Sequence, residues 1–163
     1  MRNVVQKKMK LVFVYLLFAL IGYSAIGILL IMGKFAAPND GLQLALYCGL
    51  AGGIGGVTYC LRGIYLNACV FNRWSETWLP WYFIRPIVSF ICGVVSYLFL
   101  KAGLIVLEAQ QSVTSTNLGF YALAFIAGLN VDKFIEKIED IAQVTWGIKK
   151  SRTAKKDQDD DCA

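Results

Sequence analysis

The chain has 163 residues, 57% of them hydrophobic and 17% charged, with a net charge of +5 and no histidine. Without histidine the commonest general base, the Ser-His-Asp and Cys-His pairings and the usual zinc ligand are all missing. The apolar excess over the roughly 45–50% of soluble proteins lies in long uncharged blocks, which points to membrane spans and away from a soluble core.

Residues 1–10 carry Arg2, Lys7, Lys8 and Lys10, and an uncharged run covers 11–33. As a helix that run measures about 34 Å, enough to cross the hydrocarbon core with some tilt. It exceeds the apolar stretch of a signal peptide, and Lys34 and Phe35 stand where a cleavage site needs small residues, so an uncleaved anchor is expected. Pro38, Asn39, Asp40 and Gly41 then mark a turn.

The second span, 42–61, contains Gly49, Gly52, Gly53, Gly55 and Gly56. In a soluble helix each would cost up to about 1 kcal/mol relative to Ala. In lipid no water competes for the backbone, so the helix survives and the glycines become flat packing surface. Gly49/Gly53 and Gly52/Gly56 have the four-residue spacing of a small-xxx-small face. They are the expected helix-packing residues, within or between subunits.

Between 62 and 85, Trp74, Trp78 and Trp81 alternate with polar residues, as in a segment lying at the membrane surface. Arg85 is expected at headgroup level as part of this interfacial anchor, with Pro86 in the first turn of the next helix, where its missing N–H is harmless. The third span is read over 86–107 with Lys101 inside it. Lys101 either snorkels to the far surface or lines a polar pathway or pore.

Residues 108–117 are polar and form the next loop. The last apolar block, 118–131, is only about 21 Å of helix. It crosses if the helix begins near Thr114, giving a span at 114–131, or if the bilayer thins.

From 132 to 148 the pattern becomes amphipathic, with Phe134, Ile135, Ile138, Ile141 and Ala142 on one side and Asp132, Lys133, Glu136, Lys137, Glu139 and Asp140 on the other. Asn130 is a candidate N-cap. A membrane-surface helix carries a mainly basic polar face. This one mixes signs, which favours packing against protein, through Phe134, Glu136, Lys137, Ile138, Asp140 and Ile141. Residues 149–163 form a charged tail. The expected fold class is all-α: an integral membrane four-helix bundle, 11–131, with a cytoplasmic amphipathic C-terminal helix.

Four spans put both termini on one side, together with all sixteen basic residues except Lys34 and Lys101. The positive-inside rule makes that side cytoplasmic. Topology thus accounts for the net charge, and no direct nucleic-acid binding is expected. The cysteines, Cys48, Cys60, Cys69, Cys92 and Cys162, have no C-x-x-C spacing, which argues against a metal knuckle or a disulfide framework. There is no Walker A loop, nucleophile elbow or H-E-x-x-H motif. The expectation is a non-enzyme with no catalytic residues, no metal and no cofactor. A small multidrug transporter would need a glutamate in the first span, and 11–33 has none.

Three stretches carry a resemblance: Gly52-Gly53-Ile54-Gly55-Gly56, Trp81-Tyr82-Phe83-Ile84-Arg85-Pro86, and Ala127-Gly128-Leu129-Asn130 before the amphipathic helix. Together they resemble a group of small four-span bacterial membrane proteins, and within it the membrane-subunit family (KwaA) of the Kiwa anti-phage defence system. The resemblance implies an inner-membrane homo-oligomer, with a tetramer favoured, that responds to phage at the envelope. It also implies a cytoplasmic, DNA-binding, KwaB-like partner protein meeting residues 62–79 and 131–163. The leading expectation is therefore a membrane scaffold and sensor in antiviral defence. The alternatives are an oligomeric channel or holin-like pore, drawing on Lys101, Thr58, Ser89 and Ser96, and a transporter, for which only the glycine-rich second helix speaks.

Overall fold

A computed structural model describes residues 2–33, 39–71, 75–103 and 116–148. Residues 34–38, 72–74, 104–115 and 149–163 lie outside the described residues, and with them part of the expected turn, Trp74, the end of the expected third span at 104–107, most of the expected loop at 108–117 and the tail. Among the described residues every regular element is helical: α1 (Arg2–Ile31), α2 (Asp40–Tyr65), α3 (Leu79–Lys101), α4 (Thr116–Leu129) and α5 (Val131–Trp146). Three stretches are long and apolar enough to cross a membrane, Gln6–Ile31, Asp40–Val70 and Leu79–Lys101. A fourth crossing arises if α4 and α5, bent by 110° at Asn130, count as one broken span.

Two helix limits differ from the sequence expectation. α3 starts at Leu79, so Pro80 holds the tolerated place in the first turn and Pro86 falls inside the helix. The Leu-Pro-Trp-Tyr-Phe-Ile-Arg stretch, expected to lie on the membrane surface, thus forms the first turns of the α3 helix. At its other end α3 stops at Lys101, followed by Gly103 in the left-handed region at φ 71°. Lys101 therefore sits in the last turn, at the end of the third candidate span, where a cation meets the negative end of the helix dipole.

α2 is the most enclosed of the long helices and α1 the least. On α1, Leu11, Phe18, Ile21 and Ile28 are exposed, apolar surface that water would penalise and lipid would not. Two apolar clusters flank the glycines. One joins Val12 and Leu16 of α1 to Val57, Cys60 and Ile64 of α2 and Tyr82 of α3. The other joins Ala45 and Cys48 of α2 to Tyr97 of α3 and Ala124 of α4.

The five glycines form the layer between, and all are buried. At about 100° per residue, Gly49, Gly56 and Gly52 share a sector, with Gly53 on one flank and Gly55 on the other. The neighbours follow that order. Gly53 meets the Tyr23 ring of α1. Gly49 meets Phe90 and Val94 of α3, Gly56 meets Ser89, and Gly52 lies against the backbone of Ser89 and Gly93. Gly55 lies against the backbone of Phe125 and Leu129 in α4. Gly93 and Gly128 return the contact, against Cys48 O and Gly52 O respectively. The stripe thus packs three helices around α2 within one chain.

Pro86 interrupts the hydrogen-bond ladder of α3. Two α1 tyrosines donate to carbonyls beside it: Tyr15 Oη to Phe83 O at 3.3 Å and Tyr23 Oη to Pro86 O at 3.1 Å. These bonds tie the loosest helix to the core.

Candidate functional site at a buried arginine

The last turn of α4 leaves carbonyls without helical partners. α3 supplies donors for two of them from positions four residues apart, so both side chains leave the same side of the helix. Ser89 Oγ donates to Gly128 O at 3.1 Å. Arg85 Nη2 donates to Leu129 O at 3.4 Å. Arg85 Nη1 reaches past the bend to Asp132 Oδ2, also at 3.4 Å. The guanidinium thereby sits at the negative end of α4, and the carboxylate in the first turn of α5, at its positive end.

Arg85 is 2% exposed, whereas Asp132 is 67% exposed. Two rings enclose the guanidinium: Tyr59 of α2 at 3.9 Å and Trp81 of α3 at 4.9 Å from Cζ. A desolvated cation against an aromatic face gains about 2 kcal/mol. Arg85 Nε has no partner. Burying an arginine this deeply is costly unless every interaction holds together. Its geometric effect is to join α2, α3, α4 and α5 at one point.

Beside it, Tyr59, Arg62, Asn67, Trp78, Trp81 and Tyr82 line a pocket of about 330 Å³. Here α2 runs on through one π-helical turn, Leu66–Val70, with Asn67 Nδ2 donating to Gly63 O at 2.9 Å. At the other end of α3, about 24 Å away, an open cleft of about 520 Å³ is bounded by Asp40, Tyr47, Tyr97, Lys101, Asn117 and Tyr121. Lys101 Nζ donates to Tyr97 Oη at 3.2 Å and is otherwise exposed.

The residues expected at the membrane surface divide. Trp78 and Trp81 are exposed, while Arg85 and Pro86 are enclosed by protein. Arg85, expected as an interfacial anchor, is thus enclosed within the helix junction and faces protein on all sides. α3 starts at Leu79, so Arg85 lies nearly two turns into the helix and not at its beginning. Among the residues expected to bind a partner, Phe134, Glu136, Ile138, Asp140 and Ile141 are half-buried and Lys137 is exposed. Asn130 occupies the cap position of α5, but its side chain makes no capping hydrogen bond. Ser89 and Ser96 are buried and bonded to the backbone carbonyls of Gly128 and Gly93, and Thr58 is bonded to Ile54 O.

Sequence reasoning missed Asp132, Tyr59 and Ser89 as members of this junction. Asp132 lies 47 positions from Arg85 and reads as one charge among several on a solvated face. No family model matches the chain, and neither a curated protein nor a solved structure matches it.

Proposed function

We propose that the chain is a non-enzymatic scaffold and sensor subunit of the bacterial inner membrane, belonging to an anti-phage defence complex of the Kiwa type. It oligomerises, with a tetramer favoured, and recruits a cytoplasmic KwaB-like partner through its C-terminal helix. The observation that supports recruitment is the placement of α5. It leaves α4 at 110°, buries only Val131, and is pinned at its root by Arg85. Such a helix is an arm held at a fixed angle. Its charged side, with Asp132, Lys133 and Lys137 exposed, suits a polar protein surface.

The glycine layer is occupied inside the chain, so subunit contacts fall to other surfaces, chiefly the exposed apolar side of α1. A pore reading has less support. Of Lys101, Thr58, Ser89 and Ser96, on which it draws, the two serines are enclosed and bonded to backbone, and only Lys101 and Thr58 are exposed. Deleting 132–163 should leave the protein in the membrane fraction and abolish pull-down of the partner; retained co-purification would refute the recruiting role.

Orientation has its own test. Cys69 is exposed at the α2 end near Arg62, while Cys48, Cys60 and Cys92 are buried. With Cys162 replaced by Ser, a membrane-impermeant maleimide should label Cys69 in inverted vesicles and not in intact spheroplasts. The reverse pattern would place the termini outside.

A further inference from the structure

We infer that the apolar side of α5 rests on the bilayer interface, so that α5 lies along the membrane surface with its charged side facing away from lipid. This rests on the multi-pass membrane reading above and adds what the helix touches.

Three observations support this placement. The first is direction: α5 departs at 110° from α4 after a single residue, Asn130. With α4 taken as a short crossing by itself, a helix that leaves it at nearly a right angle runs roughly parallel to the membrane plane. The second is depth. Asp132 bonds Arg85, whose guanidinium sits 4.9 Å from the ring of Trp81. Trp78 and Trp81 are exposed at this same end, and exposed tryptophans beside spans mark the headgroup level. The root of α5 is therefore level with an aromatic belt.

The third is rotation. Val131 is 1% exposed and points into the bundle. Ile135, Ile138 and Ala142 follow it at +4, +7 and +11, within about 40° of its direction. The stripe that begins inside the bundle therefore continues past its edge, and in our placement this is the side that meets lipid. Along that stripe Ile135 is 42% exposed and Trp146, on the same side, 61%, with Ile138 and Ala142 half-buried between them. The opposite side holds Glu136, Lys137 and Asp140, with Val144 the one apolar exception.

The balanced charge of the polar side counts against strong electrostatic attraction to anionic lipid. It does not count against apolar insertion, because tethering to α4 removes the need for attraction to bring the helix to the surface. Of the residues the sequence assigns to a partner, Phe134, Ile138 and Ile141 then face lipid or bundle, and Glu136, Lys137 and Asp140 remain for protein.

The test uses the full chain in vesicles of phosphatidylethanolamine and phosphatidylglycerol, with a photo-reactive benzoylphenylalanine placed singly at Ile135, Ile138, Glu136 or Asp140. Phe18, exposed on α1, is the control for membrane insertion. After irradiation, intact-mass analysis should find phospholipid adducts severalfold more abundant at 135 and 138 than at 136 and 140. Equal labelling of both sides would overturn the inference. So would adducts to a second copy of the chain at 135 and 138 without lipid. If Phe18 also fails to label, the membrane reading itself fails; if Phe18 labels and 135 and 138 do not, only the placement of α5 is wrong. Quenching of Trp146 by brominated phospholipid, taken as the difference between the native chain and W146F, supplies a second readout that does not depend on the photo-reactive residue. Absence of quenching there would also overturn the inference.

Discussion

A single methyl group at Gly128 should destabilise the fold by about 3 kcal/mol, the upper range for overpacking a well-filled interior. The added carbon would overlap the carbonyl of Gly52, a backbone atom fixed in the middle of α2. Gly55→Ala should behave alike, because its methyl meets Phe125 O and Leu129 N. Gly53→Ala should cost less, since its neighbour is the Tyr23 ring at 2.8 Å, a side chain that can turn aside. Its effect should be confined to the seating of α1. Gly22→Ala has open space around it and should be neutral or stabilising by up to about 1 kcal/mol through helix propensity. Unfolding in mixed micelles of increasing denaturing detergent, followed by circular dichroism, ranks the four variants. Finding Gly128→Ala as stable as Gly22→Ala would disprove the backbone-on-backbone packing.

The second large effect concerns the arginine junction. Asp132→Ala leaves the Arg85 guanidinium enclosed with only a carbonyl and two rings. Breaking a fully buried pair costs about 3–5 kcal/mol. Because Asp132 is 67% exposed, water can partly replace it, and about 2 kcal/mol is expected. Arg85→Met in the Asp132→Ala background should restore most of that loss, since an apolar chain of similar length needs no counter-charge. The angle of α5 should not recover with it. Stability and the spin-label distance between α5 and α3 would then part company. If the double variant is no more stable than Asp132→Ala, the pair is not the reason for the loss.

Much of the architecture is legible in the chain. Uncharged blocks give the long helices, because a continuous apolar run of span length has few other uses. The glycines give a packing layer, because their spacing survives whatever the partners are. The beginning and end of α3 are less legible. Aromatic and polar residues around Trp81 read equally well as a surface segment or as the first turns of a helix. Two prolines compete for the first-turn position, and Pro80 takes it. Past Lys101, the apolar sequence Ala-Gly-Leu-Ile-Val-Leu reads as a continuing span, yet the helix stops at the left-handed Gly103. The arginine junction is the least legible part. It is assembled from four helices, and pairing Arg85 with Asp132 depends on the 110° angle at Asn130, where local composition marks a helix boundary but not its angle.

The glycine layer also dictates how related chains can vary. At Gly49, Gly53 and Gly56 the close neighbours are mainly side chains, Phe90 and Val94, Tyr23, and Ser89. A larger residue there can be matched by a smaller one opposite, so these positions can drift in correlated pairs. At Gly52, Gly55, Gly93 and Gly128 the neighbours are peptide backbone. Main chain has nothing to trim, so no second substitution compensates the first. Descendants of this sequence should be able to exchange Phe90 and Val94 for other apolar residues and keep the architecture, whereas those four positions should stay glycine. A pattern of four glycines at 52, 55, 93 and 128, with freely co-varying pairs around them, would mark distant relatives after overall similarity has faded.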